Sequence, residues 1–151
     1  MISLKRKQTG FTIVELLIVI VVIGILAALV LVTFSGVQKK ARDTERTTDI
    51  KAVASHLEVY NAQNGYYPTE SDMNDATFIG NLKGLDPAAT CDPKSATPAG
   101  PCTFLNTNSG APSATQYGYS SCTTAASCQS FTLKYIKESD GTTQTVNSLS
   151  N

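Results

Sequence analysis

The chain opens polar, turns wholly apolar, becomes periodic, and then loses helical character. Met1 to Thr9 is a short polar stretch holding Lys5, Arg6 and Lys7. From Phe11 to Phe34 every face is apolar and Glu15 is the one charge. At 1.5 Å per residue such a helix spans roughly 36 Å, enough to cross a hydrocarbon core. Beyond Gly36 the pattern becomes amphipathic. Ile50, Val53, Leu57 and Tyr60 recur at spacings of three and four, a stripe on an otherwise polar helix. Asn64-Gly65, followed by Pro68, reads as a helix stop, so the pattern predicts one helix from Phe11 to about Asn64.

After Gly65 the residues Pro, Gly, Ser, Thr and Asn dominate, which predicts long loops and few helices. Asp75 to Leu82 reads as a short helical turn. The β-prone runs come late: Tyr117–Ser120, Phe131–Ile136 and Thr143–Val146, with Asp140-Gly141 as a hairpin turn between the last two. Three antiparallel strands packed on the Ile50, Val53, Leu57 and Tyr60 stripe give an α+β fold. The expected divisions are 1–10, a short polar leader; 11–34, a helix long and apolar enough to span a membrane; 35–64, its amphipathic continuation; and 65–151, a globular head. The Ser/Thr-rich tail after Val146 carries no element signal.

Glu15 decides how the N-terminus is read. A carboxylate at mid-membrane costs about 2.5–3.5 kcal/mol on insertion scales, and a simple anchor gains nothing from it. A secretory signal peptide has an apolar core of about 7–15 residues and a small-x-small cleavage site. This run is longer and passes into Thr33-Phe34-Ser35-Gly36 instead. A signal anchor fits the length and the leader cations, which would hold the N-terminus in the cytoplasm, but leaves Glu15 unexplained. The helix dipole offers a plainer role, since it favours an anion in the first turn by about 0.3–1 kcal/mol.

Leader cations, then Gly10, Phe11, Thr12, a hydrophobic pair, Glu15 and a Leu/Ile/Val-rich run resemble the N-terminus of type IV prepilins and pseudopilins. The segment Lys39 to Pro68 is more loosely similar to small pilins and major pseudopilins. The resemblance implies that a prepilin peptidase/methyltransferase cuts between Gly10 and Phe11 and methylates the new Phe11 amine. It also implies that Glu15 pairs with the Phe11 amine of a neighbouring subunit during assembly. Glycine suits the cleavage position because a side chain would obstruct close backbone approach. The partners implied are copies of the chain in a helical filament, a pilus or secretion assembly machinery, and membrane lipid before assembly. The precursor would sit in the cytoplasmic membrane, single-pass with its N-terminus inside, and end in a surface filament. A pilin of a type IV pilus is the first reading and a type II secretion pseudopilin the second. A signal-anchored binding domain is the alternative from another class. Relatives commonly carry a proline late in the apolar run. Here none occurs between Phe11 and Tyr67, Val32 lies near the expected place, and Gly24 and the Ser35-Gly36 pair are the weak points of the helix.

Composition adds less. Twelve Lys and Arg balance twelve Asp and Glu over 151 residues. Loss of the leader turns the balance negative, and nothing points to nucleic acid. Lys39-Lys40-Ala41-Arg42 reads as a solvated helix face because Asp43, Glu45 and Asp49 follow. The four cysteines all lie in the loop-rich half, where an exported domain with a thin core calls for disulfides. Three connectivities are possible. Cys91–Cys102 and Cys122–Cys128 are favoured, because the first bracket a Pro/Gly-rich loop and the second a strand connection. The spacing lacks the paired C-x₂-C knuckles of a zinc site. Glu138 and Asp140 are weak calcium candidates, suggested by the similar region of major pseudopilins, but calcium needs six to eight oxygens. The one histidine, His56, reads as a boundary residue on the helix. No nucleophile elbow, zinc-protease or phosphate-loop motif is present, so no enzymatic activity and no cofactor is expected.

Overall fold

The computed structural model describes residues 10–96, 100–107, 111–122, 124 and 128–149, with Val32 through its backbone alone. The leader cations Lys5, Arg6 and Lys7 lie outside these residues, as do Ser150 and Asn151 of the tail. The elements in order are helix α1 (Ile13–Asn64), helix α2 (Ala76–Asn81) and strands β1 (Leu105–Asn106), β2 (Gly118–Ser120), β3 (Thr132–Ile136) and β4 (Thr143–Asn147), with 3-10 turns at Asp72–Asn74 and Pro87–Thr90. The fold is α+β and pilin-like: a long N-terminal helix, a small sheet and two disulfides.

Helix α1 runs without a break through Gly24 and Ser35-Gly36. It ends where the sequence places a stop. Gly65 takes φ +81° and its N–H donates to the Asn61 carbonyl at 2.7 Å, a left-handed cap that a β-carbon would strain. The chain forms two compact units, Met1–Gln38 and Lys39–Asn151.

Within the second unit the predicted stripe is the floor of the core. Ile50, Val53 and Leu57 are fully buried, and Tyr60 is half-buried against Tyr66 and Phe78. They pack with Tyr117 and Tyr119 of β2 and its flank, Leu133 and Tyr135 of β3, and Phe104, Phe131, Tyr67, Met73 and Ile79. Aromatic edges fill this small core: Tyr67 meets Phe131 at 4.9 Å between centroids in a T-shaped contact. The buried Tyr119 hydroxyl donates to the Pro68 carbonyl at 2.7 Å, so its polar end is satisfied.

The sheet differs from expectation. Among the described residues it has four strands in the order β1-β2-β3-β4, not three. The extra strand β1 pairs parallel with β2, Leu105 opposite Gly118 and Asn106 opposite Tyr119. Two residues are too short to show an alternation. Gly118 is required there, because a β-carbon would collide with the Thr107 side chain. The antiparallel pairs β2–β3 and β3–β4 are as read, with Leu133 opposite both Tyr119 and Val146. The β3–β4 turn is wider than a two-residue Asp-Gly hairpin. Lys137 N–H donates to the Thr142 carbonyl at 2.9 Å, closing a loop from Glu138 to Gly141, with Gly141 at φ +72°.

The four cysteines form Cys91–Cys102 and Cys122–Cys128, with Cα atoms 5.0 and 5.2 Å apart. Tyr67 N–H donates to the Cys128 carbonyl at 2.8 Å, which ties the second cystine to the chain leaving α1.

Candidate assembly site

The apolar segment begins with a polar device. Thr12 precedes the first helical residue, and Glu15 is the third. The Thr12 N–H and hydroxyl both donate to Glu15 Oε2, at 2.8 and 2.7 Å. The Glu15 N–H donates back to Thr12 Oγ1 at 3.2 Å. This reciprocal pair is a capping box, which satisfies donors that the first turn of a helix otherwise leaves open. The T-x-x-E spacing carries that signal locally, beside the charge of Glu15. Both bonds use Oε2. Among the described residues Glu15 Oε1 accepts nothing, so the same carboxylate can hold its own helix end and receive a second donor.

Around it the surface is apolar. Phe11 is 88% exposed, and the large hydrophobic side chains described between Ile13 and Val37 are exposed as well. Thr33 hides its hydroxyl by donating to the Leu29 carbonyl at 2.9 Å. No β-carbon at Gly10, Gly24 or Gly36 would meet another group within 4 Å. By length and composition α1 contains the one candidate membrane span among the described residues.

In the second unit the basic cluster is not simply solvated. Lys39 and Lys40 are exposed, but Arg42 pairs with Glu138 through Nε at 2.7 Å and Nη2 at 2.9 Å. One helical turn on, Arg46 is 1% exposed and extends the Ile50, Val53 and Leu57 stripe. Its guanidinium grips Asp92 bidentately, at 2.7 and 3.0 Å, and Asp43 at 2.9 Å. Asp43 in turn accepts the N–H groups of Glu138 and Ser139 at 2.7 and 3.0 Å. Lys94 Nζ reaches Glu138 at 2.9 Å. Helix α1 is thereby joined to the loop beside Cys91 and to the β3–β4 turn.

Charge states follow from these contacts. Burial works against ionised Asp43, but hydrogen bonds from Ser139, the Glu138 N–H and Arg46 outweigh it and hold the carboxyl at about 2. Arg42, then Lys94, hold Glu138 at about 2. Asp49 moves the other way. Burial raises it to about 6, the Tyr117 hydroxyl opposes this at 3.1 Å, and the charges of Glu45, Asp86 and Asp92 add to the rise.

Both calcium candidates are otherwise engaged. Glu138 is surrounded by cations, and Asp140 accepts from the Thr142 N–H and hydroxyl of its own turn at 2.9 and 2.7 Å. Among the described residues no group of three His, Cys, Asp or Glu side chains could hold a metal. His56 is half-buried and lies beside Gly84.

An exposed apolar helix with a capped carboxylate in its first turn, together with a disulfide-linked α+β unit, makes a pilin-like fold. Residues 5–31 match the family model of the prokaryotic N-terminal methylation motif, and the chain carries the N-terminal signature of type IV prepilins and pseudopilins. It is 42% identical over 72 residues to type II secretion system core protein G of Aeromonas hydrophila, covering 48% of this chain and 50% of that one. The same-named protein of Vibrio cholerae is 44% identical over 64 residues, 42% of this chain and 44% of its own. That of Escherichia coli K12 is 43% identical over 63 residues, 42% of this chain and 43% of its own. The chain thus spans about half the length of the curated relatives it matches. No solved structure gives a significant match.

Proposed function

We propose that this chain is a structural subunit, a pseudopilin, of a type II secretion-type filament. It is made as a membrane-inserted precursor, cut after Gly10 and N-methylated at Phe11. The observation that carries the reading is Glu15. One carboxylate stands in an exposed apolar helix with one oxygen committed to its own cap and the other open. The methylation motif at residues 5–31 and the likeness to secretion-system core protein G support it, and the latter favours the secretion branch over a pilus.

Function here is assembly, not catalysis. Leader removal frees the Phe11 amine, whose charge is expensive inside an apolar filament core unless a carboxylate neutralises it. Glu15 of a neighbour supplies that carboxylate. Lipid is as apolar as the neighbouring helices, so transfer from membrane to filament must be driven by packing and charge pairing. The partners are therefore further copies of the chain, the peptidase that exposes Phe11, and the secretion machinery that extracts subunits from the membrane.

Intact-mass and N-terminal peptide analysis of protein from the native membrane tests this. A mature chain beginning at N-methylated Phe11 is expected. A chain beginning at Met1 identifies a plain anchor, and one beginning near Gly36 a secretory signal.

A further inference from the structure

Outside the ion network, one face of α1 in the second unit has unused cations. A groove of about 460 Å³ runs between this face and the β3–β4 turn, with Lys40, Lys51 and Lys137 along its walls. None of these three lysine side chains has an ion pair among the described residues. At about 100° per residue Lys40, Thr44, Thr48 and Lys51 fall within one sector of the helix about 80° wide. The groove is unsuited to a small anion. The hydroxyls of Thr44 and Thr48 donate to the carbonyls of Lys40 and Thr44, at 2.9 and 3.0 Å, so their hydrogens are spent on the helix. The one carboxylate in the lining, Asp43, is taken up by Arg46 and the Glu138 and Ser139 N–H groups, which leaves three ammonium groups along an open trough, suited to an acidic protein surface.

The same unit carries such a surface elsewhere. Glu45 and Asp49 lie about 120° around the helix from the lysine sector. Glu45 is exposed with no side-chain partner among the described residues, and Asp86 is exposed nearby. The mutual repulsion of these carboxylates shows in Asp49, which Glu45 and Asp86 push upward after burial has done so.

We propose that the Lys40, Lys51 and Lys137 groove of one subunit receives the Glu45, Asp49 and Asp86 surface of a second copy. The two patches are different, so the contact is heterologous. Such a contact repeats into a ring or an open helix and does not close as a two-fold dimer. The inference rests on the filament reading above and names a head-to-head contact additional to Glu15 and Phe11.

The test uses the full chain and its filaments. Lys51→Glu alone and Glu45→Lys alone should each lower the pelletable polymer about tenfold, the effect of losing roughly 1.4 kcal/mol per contact. The double variant Glu45→Lys/Lys51→Glu should recover most of it, because the pair is restored with opposite sign. Both side chains are exposed and unpartnered, and thermal melts check that each variant keeps its fold. Carbodiimide treatment of filaments grown from mixed light and heavy isotopes should give light–heavy links between the lysine groove and Glu45 or Asp86. Normal polymer from both single variants, loss without recovery in the double, or links confined to single chains would each overturn the contact. Wild-type chain that forms no filament would overturn the filament reading, and this contact with it.

Discussion

The two halves of α1 differ in where their partners lie. From Lys39 to Asn64 the helix buries one stripe, Ile50, Val53 and Leu57, against aromatic and aliphatic groups of its own unit. Between Ile13 and Val37 the large apolar side chains described are exposed. The first arrangement is stable within one molecule. The second is stable only in lipid or against other helices. The placement of charge follows the same division. Arg46 lies on the buried stripe with two aspartates at hand, whereas Glu15 has only its own Thr12. One half is satisfied by folding, the other only by lipid or by further helices.

The largest effect should come from Glu15→Val. On the assembly proposed above, it leaves a neighbour's Phe11 amine unpaired in the filament core, a loss of about 3–5 kcal/mol per subunit. Filaments should nearly vanish from pelleted fractions while membrane levels of the protein stay unchanged. Abundant filaments from this variant alone would reduce Glu15 to a cap.

Arg46→Ala should be comparably severe but confined to the head. It strands Asp43 and Asp92 in the interior, and denaturant melts in detergent should show a loss of about 3–5 kcal/mol. Replacing Cys91 and Cys102 by Ser should cost about 2–4 kcal/mol in the same assay. An equal loss from the Cys91/Cys102 change and from reduction of the wild type would assign the effect to that cystine alone.

The pH dependence separates the carboxylates. Asp43 and Glu138 sit at about 2 in the fold, so their stabilisation is complete above their ordinary range near 4 and fades as pH falls towards 2. Asp49 has the opposite sign. Raised to about 6, it favours the fold when protonated, so its penalty grows as pH rises from about 4 through 6. Asp49→Asn should therefore stabilise the head by about 1 kcal/mol at pH 7.5, allowing for its partial exposure, and by almost nothing at pH 4. The smallest effect belongs to Thr12→Ala, which removes half of the capping box. Its cost of about 1 kcal/mol should appear as fraying of the first turn by amide exchange.

Much of this was legible in the chain because it is local or periodic. The apolar run, the stripe at Ile50, Val53 and Leu57, the Asn64-Gly65 stop and strands β2, β3 and β4 all follow from side-chain order. What escaped depends on contacts between distant residues. Arg46 reads as one more helix cation until Asp92 comes beside it, and Arg42 looks solvated until Glu138 reaches it from the β3–β4 turn. Strand β1 is two residues long, too short for any pattern, and is held by its pairing with β2. The capping box at Thr12 and Glu15 was within reach of the sequence, since its spacing is a local signal.

The position of one cystine also sets an order of events. Asp92 follows Cys91 directly and supplies both oxygens that grip Arg46. While Cys91 and Cys102 are thiols, that loop lacks its covalent tether, and Arg46 depends on the loop for its bidentate partner. Thiols stay reduced in the cytoplasm and oxidise outside it. On the export proposed above, this bond closes after translocation, and the Asp92 loop is then fixed covalently beside Arg46.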